Sequence, residues 1–275
     1  MGILDSAFFR GFIKLTEDGT RMGWHERNGG NLSYRIAPEE IKEVGGELRS
    51  GGEWKPIGRV LPDLAGEFFL VTGTGKYFRN VTLDPEDNIT IAELDSKGVH
   101  YRPRWGLSRG GAPTSEFSSH LACHAAKKRE SGGRSRVVYH AHPGNIIAMT
   151  FVLPLSDRVF TRELWQIISE CAIVFSKGVG VTEWMVPGSK EMADATARKI
   201  EQFDAVIWPH HGMFATGETF DESFGLMHTI EKAAEIWIKI KSTGMLVRQT
   251  ITTDNLKALE QAFPIQLPEH FLSGE

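Results

Sequence analysis

Phe8, Phe12 and Leu15 recur at helical spacing with Phe9 and Ile13 beside them, so the chain opens on a helix that closes near Gly23. The tight polar turn Asn28-Gly29-Gly30-Asn31 follows. Leu32, Tyr34 and Ile36 then alternate with polar residues, as in a half-buried strand. Residues 37–66 hold Pro38, two Gly-Gly pairs and Pro62, and predict loops with short strands. Residues 68–71 and 89–94 read as strands, the first running into Thr72-Gly73-Thr74-Gly75. A helix is expected over 115–128, with Phe117, Leu121 and Ala125 as its apolar stripe. Residues 137–142 read as a strand, 145–152 and 161–169 as helices, and 171–175 as an apolar run. A helix over 189–203, a buried strand over 205–208 and a long helix over 221–241 come next, the last burying Phe224, Ile230, Ala234 and Ile238. A final helix covers 253–263. Neither repeat nor linker interrupts the pattern, so one α/β domain over residues 1–275 is expected, with a mixed rather than a doubly wound sheet.

Composition narrows the function classes. An apolar fraction of 41% is enough for a core and excludes global disorder. The net charge of -4, without a basic stripe, points away from nucleic acid and towards a small molecule. Cys123 and Cys171 form no CxxC, which removes thiolate zinc sites and dithiol chemistry. Residues 1–10 lack a signal pattern, and no apolar run is long enough to span a bilayer. The expected location is the cytoplasm, with no membrane partner.

Six places carry candidate chemistry. In His140-Ala141-His142, a strand would put both imidazoles on one face, where they can meet one ion. Pro209-His210-His211-Gly212 follows the strand at 205–208 and offers a third ligand, and spacing alone does not choose between its two histidines. His120 and His124 lie four apart on one helix face. They lack the glutamate of an HExxH helix and border the apolar stripe, so they read as structural. Glu116, at the start of the same helix, is equally compatible with a dipole-favoured carboxylate and with a general base beside a metal. The two glycine turns, 28–31 and 72–76, can present backbone N–H groups to a phosphate, although neither matches a nucleotide motif.

These motifs occur in one order: Glu26 to Ser33, Val71 to Lys76, Thr114-Ser115-Glu116, His140-Ala141-His142 and Pro209 to Gly212. That order resembles the class II aldolase family, which includes aldolases for fuculose and rhamnulose phosphates and pentulose-phosphate 4-epimerases. Residues 160–175, 184–188 and 221–226 look most like the branch acting on rhamnulose 1-phosphate. The resemblance implies a single domain with a mostly antiparallel central sheet between helical layers, assembled as a homotetramer. It implies one zinc ion per chain on His140, His142 and His211, and Glu116 as the catalytic carboxylate. It places phosphate binding on Asn28, Gly30, Asn31, Thr74, Thr114 and Ser115, and carries Glu170 towards a neighbouring subunit's site. The implied reaction is retro-aldol cleavage of L-rhamnulose 1-phosphate, a sugar phosphate, to dihydroxyacetone phosphate and L-lactaldehyde. Breaking the C3–C4 bond leaves negative charge on C3, and zinc serves as the Lewis acid that an aldolase without a Schiff-base lysine needs. The alternatives are a fuculose-phosphate aldolase, a pentulose-phosphate 4-epimerase and a non-catalytic binding module like the adducin head. The epimerases of the family carry aspartate where this chain has Glu116.

Overall fold

The computed structural model describes residues 2–272; Met1 and residues 273–275, the ends of the expected domain, lie outside the described residues. Its strands are β1 (Asn31–Arg35), β2 (Lys55–Pro56), β3 (Phe68–Thr72), β4 (Ile89–Leu94), β5 (His100–Gly106), β6 (Val137–Ala141), β7 (Gly180–Val181), β8 (Ala205–Trp208) and β9 (Gly212–Gly217). They form one nine-stranded sheet in the order β2-β5-β4-β3-β1-β6-β9-β8-β7. All neighbours run antiparallel except the short edge pair β7 and β8. The α/β architecture with a mixed, mostly antiparallel sheet is as expected.

The helices are α1 (Ala7–Arg21), α2 (Pro38–Val44), α3 (Pro85–Asn88), α4 (Phe117–Glu130), α5 (Gly144–Met149), α6 (Asp157–Trp165), α7 (Ser169–Val174), α8 (Lys190–Ile200), α9 (Phe220–Ser242), α10 (Thr253–Ala262) and α11 (Glu269–Leu272). The period of two in β6 divides them between the faces. Val137, Tyr139 and Ala141 join one large core with α1, α5, α6, α7 and α9. Val138 faces the other way, into a cluster with Cys123 and Ala126 of α4 and Met192 and Ile200 of α8. The expected stripe Phe117, Leu121 and Ala125 packs with Phe69 and Val71 of β3. Sealing both faces means that the strands need not alternate in polarity.

That geometry explains where the pattern misled. Every residue of β1 is buried, not half of them, because helices cover both of its sides. Residues 37–66 hold a helix, α2; its Pro38 lies in the first turn, where proline starts helices, and Glu40 caps the Ala37 N–H at 2.7 Å. The helix expected over 161–169 begins earlier, at Asp157, and the apolar run at 171–175 is mostly helical, within α7. The hydrophobic pattern signals neither β5 nor β9. β5 carries Pro103 and three cationic or imidazole side chains, and β9 reads as a small-residue tail behind the histidine pair. Both cysteines are free and buried. No helix of the described residues is long and apolar enough to cross a membrane.

Candidate active site

Several element ends meet at one edge of the sheet. β1 begins beside the end of β6, with Asn31 directly opposite His140. β3 ends in the turn at Gly73, which bridges to Pro113 just before α4. β9 starts next to the end of β6, with Met213 opposite Ala141. A polar hollow of about 170 Å³ opens between them. Asn28 to Asn31, Gly73 to Gly75, Thr114 to Glu116, His140, His142 and His211 line it. Every site residue expected from the sequence is therefore brought together except Glu170, which is exposed in the first turn of α7 and does not line the hollow.

His140, His142 and His211 each offer a ring nitrogen, and these atoms lie within 4.8 Å of one another. The HxH spacing works because β6 carries His140 and the chain then continues straight to His142, whose N–H donates to the Trp24 carbonyl at 3.0 Å. The third imidazole depends on a sharp turn. His210 adopts a left-handed backbone, φ 59°, which few residues other than glycine tolerate. Its ring leaves the hollow, contacting Thr150 Oγ1 at 3.2 Å through Nδ1 and packing on Phe151. His211 turns inward instead. Gly212 permits this, since a Cβ there would stand 2.3 Å from the Ala141 carbonyl oxygen. The choice left open by spacing falls to His211 as the member of the cluster.

The outer contacts orient the rings for a metal. His140 Nδ1 lies 3.1 Å from the Met213 carbonyl and His142 Nδ1 lies 2.6 Å from Glu26 Oε1. As N–H donors, these nitrogens leave both Nε2 atoms as acceptors facing the hollow. His142 Nε2 is buried without any partner, as a ligand nitrogen awaiting an ion would be. His140 Nε2 and His211 Nε2 are 3.4 Å apart. Two nitrogens on a tetrahedral zinc, each at about 2.05 Å, would be about 3.3 Å apart. The residues present thus fit a divalent metal of the zinc type. Glu26 belongs to this site and was not singled out in the sequence, although it stands in the motif that opens the glycine turn. Burial alone would raise its carboxyl, but the bond from His142, a backbone hydrogen bond and the nearby His142 and His25 charges together outweigh that and hold it below its ordinary value.

Glu116 sits at the N-cap of α4, not inside its first turn, and its side chain caps no helix N–H. Its Oε2 accepts from Asn31 Nδ2 at 2.8 Å and lies 3.8 Å from His140 Nε2. Burial raises its pKa, against the lowering effect of the Asn31 bond. A carboxyl raised by burial beside a ligand cluster is suited to taking and returning protons, and the geometry no longer supports a capping role.

The glycine turns differ from the simple picture of free amides. Gly73 N–H donates to Asn88 and Thr74 N–H to Ala112, at 2.8 and 2.9 Å. The exposed Thr74 therefore offers the hollow its hydroxyl, and Ser115 is exposed beside it. Asn31 lines the hollow, but its amide is engaged by Glu116 and His120. A larger cavity of about 650 Å³ lies at the far end of β6 and β9. Its Lys177 is already paired with Glu130 and Asp204, so it lacks the convergence of ligand atoms found here.

Buried histidines also set how the fold responds to acid. Burial pushes His120 down to about 3, His25 down to about 4, and His124 well below its ordinary value. Unfolded, each would titrate near 6.5. Between those values the unfolded chain binds more protons, so the contribution is complete above about pH 6.5 and is lost as pH falls towards 4. Urea midpoints of the metal-free protein should therefore fall steadily from pH 7 to pH 5. A flat profile would mean that these imidazoles are not buried neutral.

Three imidazoles and a buried carboxylate meet in a small polar hollow at one edge of a covered antiparallel sheet, the donor set of a divalent-metal site beside an acid–base group. The sequence profile described as Class II Aldolase and Adducin N-terminal domain matches residues 11–238, and the chain belongs to that family. It is 44% identical over 263 residues to the rhamnulose-1-phosphate aldolase of Pectobacterium atrosepticum, covering 96% of each chain. It is equally 44% identical, with the same coverage, to the rhamnulose-1-phosphate aldolase of Mannheimia succiniciproducens. Among solved structures, a sugar-phosphate aldolase from Thermotoga maritima superposes with a TM-score of 0.73 at 31% identity, over 86% of this chain and 96% of that one. The family expected from the motif order is the family found.

Proposed function

We propose that this chain is an aldehyde-lyase that cleaves L-rhamnulose 1-phosphate to dihydroxyacetone phosphate and L-lactaldehyde, with one zinc ion on His140, His142 and His211. The observation that carries the reading is the convergence of those imidazoles with buried Glu116 in one hollow. Relatives of that activity at 44% identity over 96% of the chain support the substrate. Zinc bound there would supply a Lewis acid for the negative charge that develops as the C3–C4 bond breaks.

The chain's own residues do the rest. Glu116 returns a proton to C3 of dihydroxyacetone phosphate after cleavage and removes it in the condensation direction. Asn28, the backbone of Gly30, Thr74, Thr114 and Ser115 hold the phosphate, and that distant grip orients the reacting carbons. Asn31 works beside them by holding Glu116. Glu26 keeps His142 turned to the metal. A homotetramer would cover the exposed Phe151 and Val152 and could bring Glu170 of one chain to another chain's hollow. A charged phosphate ester does not cross membranes unaided, which supports a cytoplasmic setting.

The phosphate grip has a direct test. Thr74→Glu places a carboxylate where the phosphate is to sit, and KM for the ketose should rise by about 10-fold or more through like-charge repulsion. An unchanged KM would remove this turn from the site. The substrate is tested by presenting rhamnulose 1-phosphate, fuculose 1-phosphate and ribulose 5-phosphate side by side. Dihydroxyacetone phosphate should be released fastest from the first. Epimerisation of ribulose 5-phosphate without triose release would replace the lyase reading with an epimerase, and inertness towards all three would favour a binding module.

A further inference from the structure

α4 is already fixed to the sheet by Phe117, Leu121 and Ala125. The side of it that faces β1 needs no polar group for that purpose. It nevertheless buries two imidazoles, His120 at 0% and His124 at 1% exposure, among rings such as Phe69 and Phe214. Burying polar groups is unfavourable unless each is hydrogen-bonded, and apolar side chains would pack here without that demand. Both histidines are bonded, and their partners lead to Glu116.

The contacts run in series. His124 Nε2 lies 2.8 Å from Ser33 Oγ, which lies 2.6 Å from His120 Nδ1. His120 Nε2 contacts Asn31 Oδ1, and Asn31 Nδ2 donates to Glu116 Oε2 at 2.8 Å. The carboxylate end fixes every direction. A carboxylate only accepts, so the Asn31 amide must present its nitrogen to Glu116 and its oxygen to His120. His120 Nε2 must then carry the hydrogen, leaving Nδ1 as acceptor. Ser33 therefore donates to Nδ1, and its oxygen accepts from His124 Nε2–H. All four donors point towards Glu116, and bonds aligned this way strengthen one another. We propose that His124, Ser33, His120 and Asn31 form one directional hydrogen-bond chain that fixes the Glu116 carboxylate, with His120 as a positioning residue for proton transfer at C3. The proposal rests on the reading of Glu116 as the base. Burial keeps both imidazoles neutral near pH 7, as the chain requires.

The test follows exchange of a C3 proton of dihydroxyacetone phosphate with deuterated water, without aldehyde, in the zinc-loaded protein. His120→Phe removes both links at similar size, and His120→Gln restores an N–H towards Asn31. At saturating ligand, His120→Phe should exchange about 10–100-fold more slowly, with zinc content and KM nearly unchanged although the melting temperature falls because buried Asn31 Oδ1 loses its partner, and His120→Gln should recover most of the rate. Ser33→Ala, which breaks the chain one link earlier, should give a smaller loss of about 3–10-fold, again in rate rather than KM. Wild-type exchange in His120→Phe overturns the proposal, as does a loss that merely follows zinc content or a glutamine variant no faster than phenylalanine. If His120→Phe fails to fold, Ser33→Ala decides: wild-type exchange there overturns the chain. Glu116→Gln separates the two layers. Exchange surviving in that variant means the base is misassigned, whereas exchange lost there but intact in His120→Phe means only the positioning chain is wrong.

Discussion

Glu116→Gln is expected to lower turnover of the ketose phosphate by about 10²–10⁴-fold, the range for removing a positioned general acid–base group. The substitution keeps shape and volume, and its amide oxygen can still accept from Asn31, whose Nδ2 lies 2.8 Å from Oε2 in the parent. Zinc content should therefore stay at one per chain. Stability should hold or rise, because burial disfavours the ionised carboxyl that the change removes. A helix-start carboxylate would behave oppositely, costing about 0.3–1 kcal/mol on removal with the rate intact. Steady-state kinetics and a melting curve on one preparation separate the two. Near-parent turnover would move the proton-transfer role to another group.

His211→Ala should abolish activity by removing the metal, and its neighbour should not matter. An altered outer contact typically weakens metal binding by about 10–100-fold, and losing a ligand outright should exceed that. Since the Lewis acid is worth several kcal/mol and each 1.36 kcal/mol is tenfold in rate, turnover should fall by about 10³-fold or more. His210→Ala leaves the cluster intact, because that ring contacts Thr150 and Phe151 outside the hollow. Elemental analysis after gel filtration gives the answer directly. Full zinc in His211→Ala with loss in His210→Ala would show that the ligand and its neighbour have been exchanged.

How much of this was legible depended on whether a local pattern carried the information. The HxH pair declared itself because a strand's period of two is local, and its neighbours Val137 to Tyr139 already read as a strand. The third histidine remained ambiguous because the decision lies in the left-handed backbone of His210 and the close approach at Gly212. Neither can be derived from spacing. Family resemblance supplied His211 and the geometry supplied the reason. His120 and His124 lie outside the three-imidazole cluster, yet their link to Asn31 and Glu116 spans 85–91 residues of sequence and depends on the packing of β1 against α4. Glu26 stayed hidden for the same reason, since it meets His142 across 116 positions. In the fold, β5 and β9 were missed where charge, proline or small residues replaced the usual strand composition, and full burial on both faces erased the alternation expected of β1.

The most direct test is to strip the protein of metal with a chelator and titrate zinc back while following release of dihydroxyacetone phosphate from L-rhamnulose 1-phosphate. Activity should be absent in the stripped protein, rise linearly with added zinc and level off at one equivalent per chain. Full activity in the stripped protein, or zinc binding at one equivalent without any triose release, would contradict the account.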